Sequence, residues 1–194
     1  MEHPVTEEAT GLDLVALQLA VARGEEVADP RPKLRRHAVE VRLYAEDPVD
    51  FLPQAGTVER LHLPDVIRVD AGVAEGDAVG VAYDPMIAKL IASAETRAEA
   101  LDRLGAALAE TEVEGITTNL PFLRWLVSHP VVRAGTTTTA FLTEYPPLSA
   151  VPARLPQAPW AAPWRLNLPA PAPGAALDPT PSPTTTGTAA NRAR

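Results

Sequence analysis

Cysteine is absent from the 194 residues, which excludes disulfides and thiolate zinc sites and fits a reducing, cytoplasmic setting. The four histidines, His3, His37, His62 and His129, are dispersed without metal-ligand spacing, so no metal site is expected. Neither Gly-x-x-x-x-Gly-Lys-Ser/Thr nor Gly-x-Gly-x-x-Gly occurs, and a glycine-rich phosphate loop is therefore lacking. No serine or threonine stands out as an activated nucleophile. No uninterrupted apolar stretch is long enough to span a bilayer, and two early glutamates with no basic segment before an apolar one argue against a secretory signal. Basic residues are in the minority: 17 Lys and Arg stand against 25 Asp and Glu, a formal net charge of −8. That balance speaks against nucleic acid as a partner, because phosphates would be repelled over most of the surface.

The charge is unevenly spread. Residues 146–194 hold 12 of the 21 prolines and four arginines against the single acid Asp178, a net of +3, which leaves −11 on the first 145 residues. The tail is rich in Pro, Ala and Thr and cannot bury enough apolar surface to offset its ordering entropy, so it reads as a disordered linker. Its one apolar patch, Trp160 and Trp164 with Leu166 and Leu168, is equally a chance cluster or a docking element.

Ahead of the tail, Leu12, Val15, Leu19 and Ala22 recur at helical spacing over residues 11–23, and Gly24 supplies a stop. A charged connector with two prolines follows over 25–36. Residues 37–45 alternate as a strand, with Val39, Val41 and Leu43 on one face and Glu40, Arg42 and Tyr44 on the other. Short strands are expected over 57–63 and 66–70, then a bent region with Gly72, Gly76 and Gly80. Met86 to Ala92 is an apolar run broken by Lys89 and reads as a largely buried strand. Thr96 to Glu99 forms a capping box before a helix carrying Leu101, Leu104 and Leu108. Asn119 is the expected N-cap of a second helix with Phe122, Leu123 and Leu126. Strands first and helices last predict an α+β domain: a mainly antiparallel sheet with flanking C-terminal helices.

Arg42 is the strongest chemical candidate. A guanidinium fixed mid-strand offers rigid donors to a developing oxyanion; the alternative is a structural ion pair with Glu40 or another nearby acid. Lys89 interrupts an apolar strand and needs a carboxylate, for which Asp84 or an acid on a neighbouring strand would serve.

Four motifs occur in order: Glu2-His3-Pro4-Val5-Thr6-Glu7, then His37-Ala38-Val39-Glu40-Val41-Arg42-Leu43-Tyr44-Ala45-Glu46-Asp47-Pro48, then Tyr83-Asp84-Pro85-Met86-Ile87-Ala88-Lys89-Leu90, then Glu114-Gly115-Ile116-Thr117-Thr118-Asn119. With Phe51 to Thr57 and Asp70 to Asp77 between them, residues 2–145 resemble the C-terminal part of the biotin carboxylase component of biotin-dependent acyl-CoA carboxylases, of the acetyl- or propionyl-CoA carboxylase alpha subunit type. The resemblance implies that Arg42 lies beside the biotin ureido group and bicarbonate, where it stabilises the biotin enolate. It implies that Glu2 is the general base on bicarbonate. His3, Glu40, Tyr83 and Asp84 become supporting residues on the biotin side. Departures are Arg36 where the family usually has glycine, a shorter loop at Leu63 to Val66, and Ala82 where an aromatic residue is common.

The resemblance also implies a division of the chain. Residues 1–32 read as a remnant of the ATP-grasp end with its connecting helix, 33–145 as the biotin carboxylase C-terminal domain, and 146–194 as the linker. The ATP-grasp lysines, glycine-rich lid and magnesium-binding residues of the family have no counterpart here, nor does its Met-Lys-Met biotinyl motif. The expectation is a fragment inactive alone, which binds neither ATP nor Mg although the complete enzyme uses both. Its biotin would come on a partner carrier domain, and its other partners would be a carboxyltransferase subunit and a second copy in a homodimer. The alternatives are a non-catalytic dimerisation or docking module, and a separately encoded half that complements an ATP-grasp polypeptide.

Overall fold

The computed structural model describes residues 3–27 and 32–147. Glu2, and the expected linker from residue 148 onward, lie outside the described residues.

Three strands form the main sheet: β1 (His37–Tyr44), β4 (Arg68–Ala71) and β6 (Met86–Ala94). All pair antiparallel in the order β1-β6-β4. β6 is central, and Ile87, Ala88, Leu90, Ile91 and Ala92 are each no more than 1% exposed. Its nearly unbroken apolar sequence follows from burial on both faces. On one face Val41, Leu43 and Leu90 pack with Leu101, Leu104 and Leu108 of α3 (Arg97–Glu110) and Leu123 of α4 (Leu120–Ser128).

α3 begins with the anticipated capping box: Thr96 Oγ1 accepts from Glu99 N, and Glu99 Oε2 accepts from Thr96 N. Its last carbonyls are met from α4, where Arg124 donates from Nε to Leu108 O and from Nη2 to Thr111 O, each at 2.9 Å. Such a cation at a helix C-terminus satisfies carbonyls that the helix itself leaves unpaired. Two short helices, α5 (Pro130–Ala134) and α6 (Phe141–Glu144), complete the C-terminal layer. The expected α+β architecture with C-terminal helices is what the fold shows.

The strand anticipated over 57–63 is broken in two. β2 (Gly56–Thr57) pairs with β5 (Ala78–Val79), and β3 (Arg60–His62) pairs with β7 (Glu112–Glu114). The chain changes partner at buried Val58, whose N–H donates to Asp77 O, and at Glu59, whose N–H donates to Glu114 O. Two helices precede the sheet, α1 (His3–Thr10) and α2 (Leu14–Ala22). α2 is the helix read over 11–23, but none of its residues is buried.

The change of partner needs a glycine. Gly115 has φ +90°, and a Cβ there would stand 2.8 Å from Glu59 N. Gly76 has the same φ with nothing within 4 Å. Gly76→Ala should therefore cost only the backbone term, about 1–2 kcal/mol. Gly115→Ala adds an overpacking term of about 1–3 kcal/mol. Thermal or urea unfolding of the two variants would show the larger loss at Gly115, and equal losses would contradict this packing.

Candidate active site

The second face of the main sheet carries charge. Register places Arg42 opposite Lys89 and Lys89 opposite Asp70; one row further, Glu40 faces Ile91 and Ile91 faces Arg68. Paired residues in an antiparallel sheet point to the same side, so Glu40, Arg42, Arg68, Asp70 and Lys89 share one surface. α1 lies across it, packed on β1 and β6.

α1 is fastened to that surface by acids on its own sequence. Glu7, 8% exposed, accepts from Arg68 Nη1 at 2.8 Å and from Leu14 N at 2.9 Å. Glu8 Oε2 accepts from Ser93 Oγ at 2.8 Å. Arg68 also grips Asp70 with two parallel bonds of 3.0 Å, from Nε to Oδ1 and from Nη2 to Oδ2. Burial alone would raise the Glu7 pKa. The donors from Arg68 and Leu14, with a smaller contribution from His3, outweigh burial and hold it below the usual 4.5. The Arg68 guanidinium is shifted the other way, chiefly by its bonds to Asp70 and then to Glu7.

Arg42 is half-buried on this face, and its Nη1 donates to Tyr44 Oη at 3.4 Å. Glu40, two residues before it, has both carboxylate oxygens buried, and neither accepts a hydrogen bond. Of the structural alternative raised from sequence, an ion pair of Arg42 with Glu40 or another nearby acid, the Glu40 form is thus not hydrogen-bonded. Burial pushes the Glu40 carboxyl above its usual range, against the pull of Lys89 and His3.

The other sequence-derived residues fall in three places. His3 starts α1 with Nδ1 3.3 Å from Glu7 Oε1, not aligned for a hydrogen bond, and its charge reaches Glu40. Tyr83 is 90% exposed. Asp84 makes the expected turn, with Oδ1 accepting from Met86 N at 3.1 Å, and its charge adds to burial in raising Glu46. The acid across from Lys89 is Asp70 and not Asp84. Among the described residues no group of three or more His, Asp or Glu side chains is placed to hold a metal ion, and no helix is long and apolar enough to cross a membrane.

Four residues of this arrangement were not singled out from sequence for these roles: Glu7, Arg68, Asp70 and Asn119. The Arg68-Val69-Asp70 alternation does put its two charges on one strand face, a signal that period-2 reading could have used. Asn119 was expected to cap α4, but its side chain makes no capping bond. It donates from Nδ2 to Arg42 O at 3.1 Å and accepts at Oδ1 from Tyr44 N at 3.0 Å. Two backbone groups on the open side of β1 take precedence over the helix end.

The fold is thus an antiparallel α+β domain with Arg42 on a charged sheet face covered by α1. Comparison with known proteins gives the family. The family described as "Biotin carboxylase C-terminal domain" matches residues 40–144, and the chain belongs to that family. It is 52% identical over 149 residues to a "Biotin carboxylase" of Halalkalibacterium halodurans, covering 75% of this chain and 33% of that protein. It is 42% identical over 151 residues to the mitochondrial methylcrotonoyl-CoA carboxylase subunit alpha of Mus musculus, covering 75% of this chain and 21% of that one. Among solved structures it resembles the biotin carboxylase domain dimer of Hydrogenobacter thermophilus 2-oxoglutarate carboxylase, in complex with MgADP, ADP and bicarbonate. There the TM-score is 0.75 and the identity 35%, over 79% of this chain and 35% of that one. The chain thus spans about a third or less of the length of these relatives. They fix the family but do not single out the acetyl- or propionyl-CoA type.

The two glutamates should respond oppositely to pH. The depressed Glu7 value contributes stability that is present above the usual 4.5 and lost as pH falls through the folded value. The raised Glu40 value works in reverse: its cost appears as pH rises past 4.5 and is complete above the folded value. Melting between acid and neutral pH should show Glu7→Gln lowering the neutral midpoint and flattening the acid limb. Glu40→Gln should raise the neutral midpoint. The opposite pattern would remove the assignment of these carboxylates.

Proposed function

We propose that this chain supplies the C-terminal domain of a biotin carboxylase and contributes Arg42, with Glu2, to the carboxylation of protein-linked biotin. The observation that carries the proposal is Arg42 itself: a half-buried guanidinium on a covered strand face beside Tyr44. A strand-borne guanidinium fits the negative charge that develops on a ureido oxygen, because its donors are fixed before the charge appears. Glu2 would act as the base on bicarbonate and His3 would help to set its charge. Biotin, carried by a separate carrier domain, supplies the ureido nitrogen that takes up the carboxyl group, with ATP and Mg in the complete enzyme. A carboxyltransferase partner then fits an acyl-CoA carboxylase, with the acetyl or propionyl acceptor as the finer part of this proposal. A homodimer and a cytoplasmic setting belong to it as well.

A second reading is favoured by α2. Its sequence is apolar except for Gln18, yet Val15, Leu19 and Val21 are 48, 58 and 53% exposed. A helix apolar all round is normally covered. An open cleft of about 560 Å³ beside it is lined by His3, Glu7, Glu8, Asp13, Val15 and Arg68. This surface suits a docking module or a separately encoded half that associates with the remainder of a carboxylase.

The test is to join the preceding region of a relative to this chain and assay carboxylation of free biotin. Arg42→Ala should lower the rate by about 10²–10³ at an unchanged thermal midpoint. Retained activity with a large fall in midpoint would reject the catalytic role. For the chain alone, calorimetry with Mg-ATP should detect no binding tighter than millimolar; tighter binding would overturn the reading of an inactive fragment.

A further inference from the structure

We infer that Asn119 is a positioning residue for Arg42, its carboxamide standing in for a neighbouring strand along the outer edge of β1. The inference rests on the reading of Arg42 as the site arginine. β1 is the end strand of its sheet, bonded to β6 on one side only. On its open side the carbonyl of Arg42 and the N–H of Tyr44 point away from β6. Asn119 meets both, through Nδ2 at 3.1 Å and Oδ1 at 3.0 Å, and its own backbone N–H donates to Tyr44 O at 3.1 Å. A carboxamide presents an N–H donor beside a C=O acceptor, as an extended neighbour does, which neither a carboxylate nor a hydroxyl reproduces.

The position of this contact gives it leverage. The β1–β6 register shifts between Leu43 and Tyr44, one residue past Arg42, so the ladder with β6 is irregular where the arginine side chain leaves the strand. Asn119 is 5% exposed and 75–77 residues away in sequence. Its side chain makes no cap at α4, so the bonds to β1 are its whole side-chain role. It fixes the backbone on both sides of the irregularity, and hence the direction in which the guanidinium leaves the strand beside Tyr44.

The experiment uses the full chain labelled with ¹⁵N. The Arg42 Nε–Hε signal is assigned by its loss in Arg42→Lys and followed in Asn119→Asp, which is nearly isosteric but loses the donor to the Arg42 carbonyl. Leu123→Ala serves as a packing control in the same helix. The expected result is a shifted or broadened Arg42 signal in Asn119→Asp and an unmoved one in Leu123→Ala. An unmoved signal in Asn119→Asp, or an equal change in the control, would overturn the proposal. In the joined enzyme described above, Asn119→Asp should lower kcat, by up to about 10²-fold for a misplaced group, with KM for ATP unchanged. If Arg42→Ala leaves that enzyme active, the reading of Arg42 fails while the spectroscopic result on Asn119 stands separately. If only Asn119→Asp leaves kcat intact, the positioning role fails.

Discussion

The contact that fastens a helix over the charged sheet face is the buried carboxylate of Glu7, which meets donors on both of its oxygens. The carboxylate collects Arg68 and the Leu14 N–H, while Arg68 is held in turn by Asp70. A buried carboxylate left alone would protonate or destabilise the fold. With these donors it stays ionised and ties residue 7 to a strand 61 positions later. The placement of α1 over β1 and β6 follows, as does the position of His3 relative to Glu40.

The same face sets Arg42 directly opposite Lys89. Like charges at opposed positions destabilise a sheet, so the pairing has to be balanced by acids nearby. Asp70 stands on the far side of Lys89, and Glu40 feels its charge. The result is two cations on opposed positions with acids at their flanks, and Glu40 is the group that bears the burial cost. The apolar side of the sheet has no such tension, because Leu43, Leu90, Leu101 and Leu104 sit in a cluster of apolar side chains.

Local periodicity told the truth wherever local forces decide. β1, β6 and α3 were legible because alternation, an apolar run and a capping box are signals within ten residues of one another. Arg42 stood out for the same reason. α1 was not read as a helix: Pro4, Val5 and Thr6 open it, and β-branched residues are weak helix formers. Pro4 is tolerated in the first turn, and packing on the sheet supplies the rest. The apolar spacing of residues 11–23 was read correctly as a helix, but spacing says nothing of what covers it. Asn119 stands at the N-cap of α4 as its residue type predicts, but its side-chain partners lie on β1, far off in sequence. Glu7 with Arg68 was hidden by the same long separation.

The carboxamide on β1 also has a consequence for how the molecule keeps to itself. An end strand with a free row of N–H and C=O groups is a template on which a foreign strand can grow. At Arg42 and Tyr44 that row is already occupied, by a side chain that can extend the pairing no further. The plug sits where the strand is irregular, so the edge is closed at that point and the chain is shielded there from self-templated aggregation.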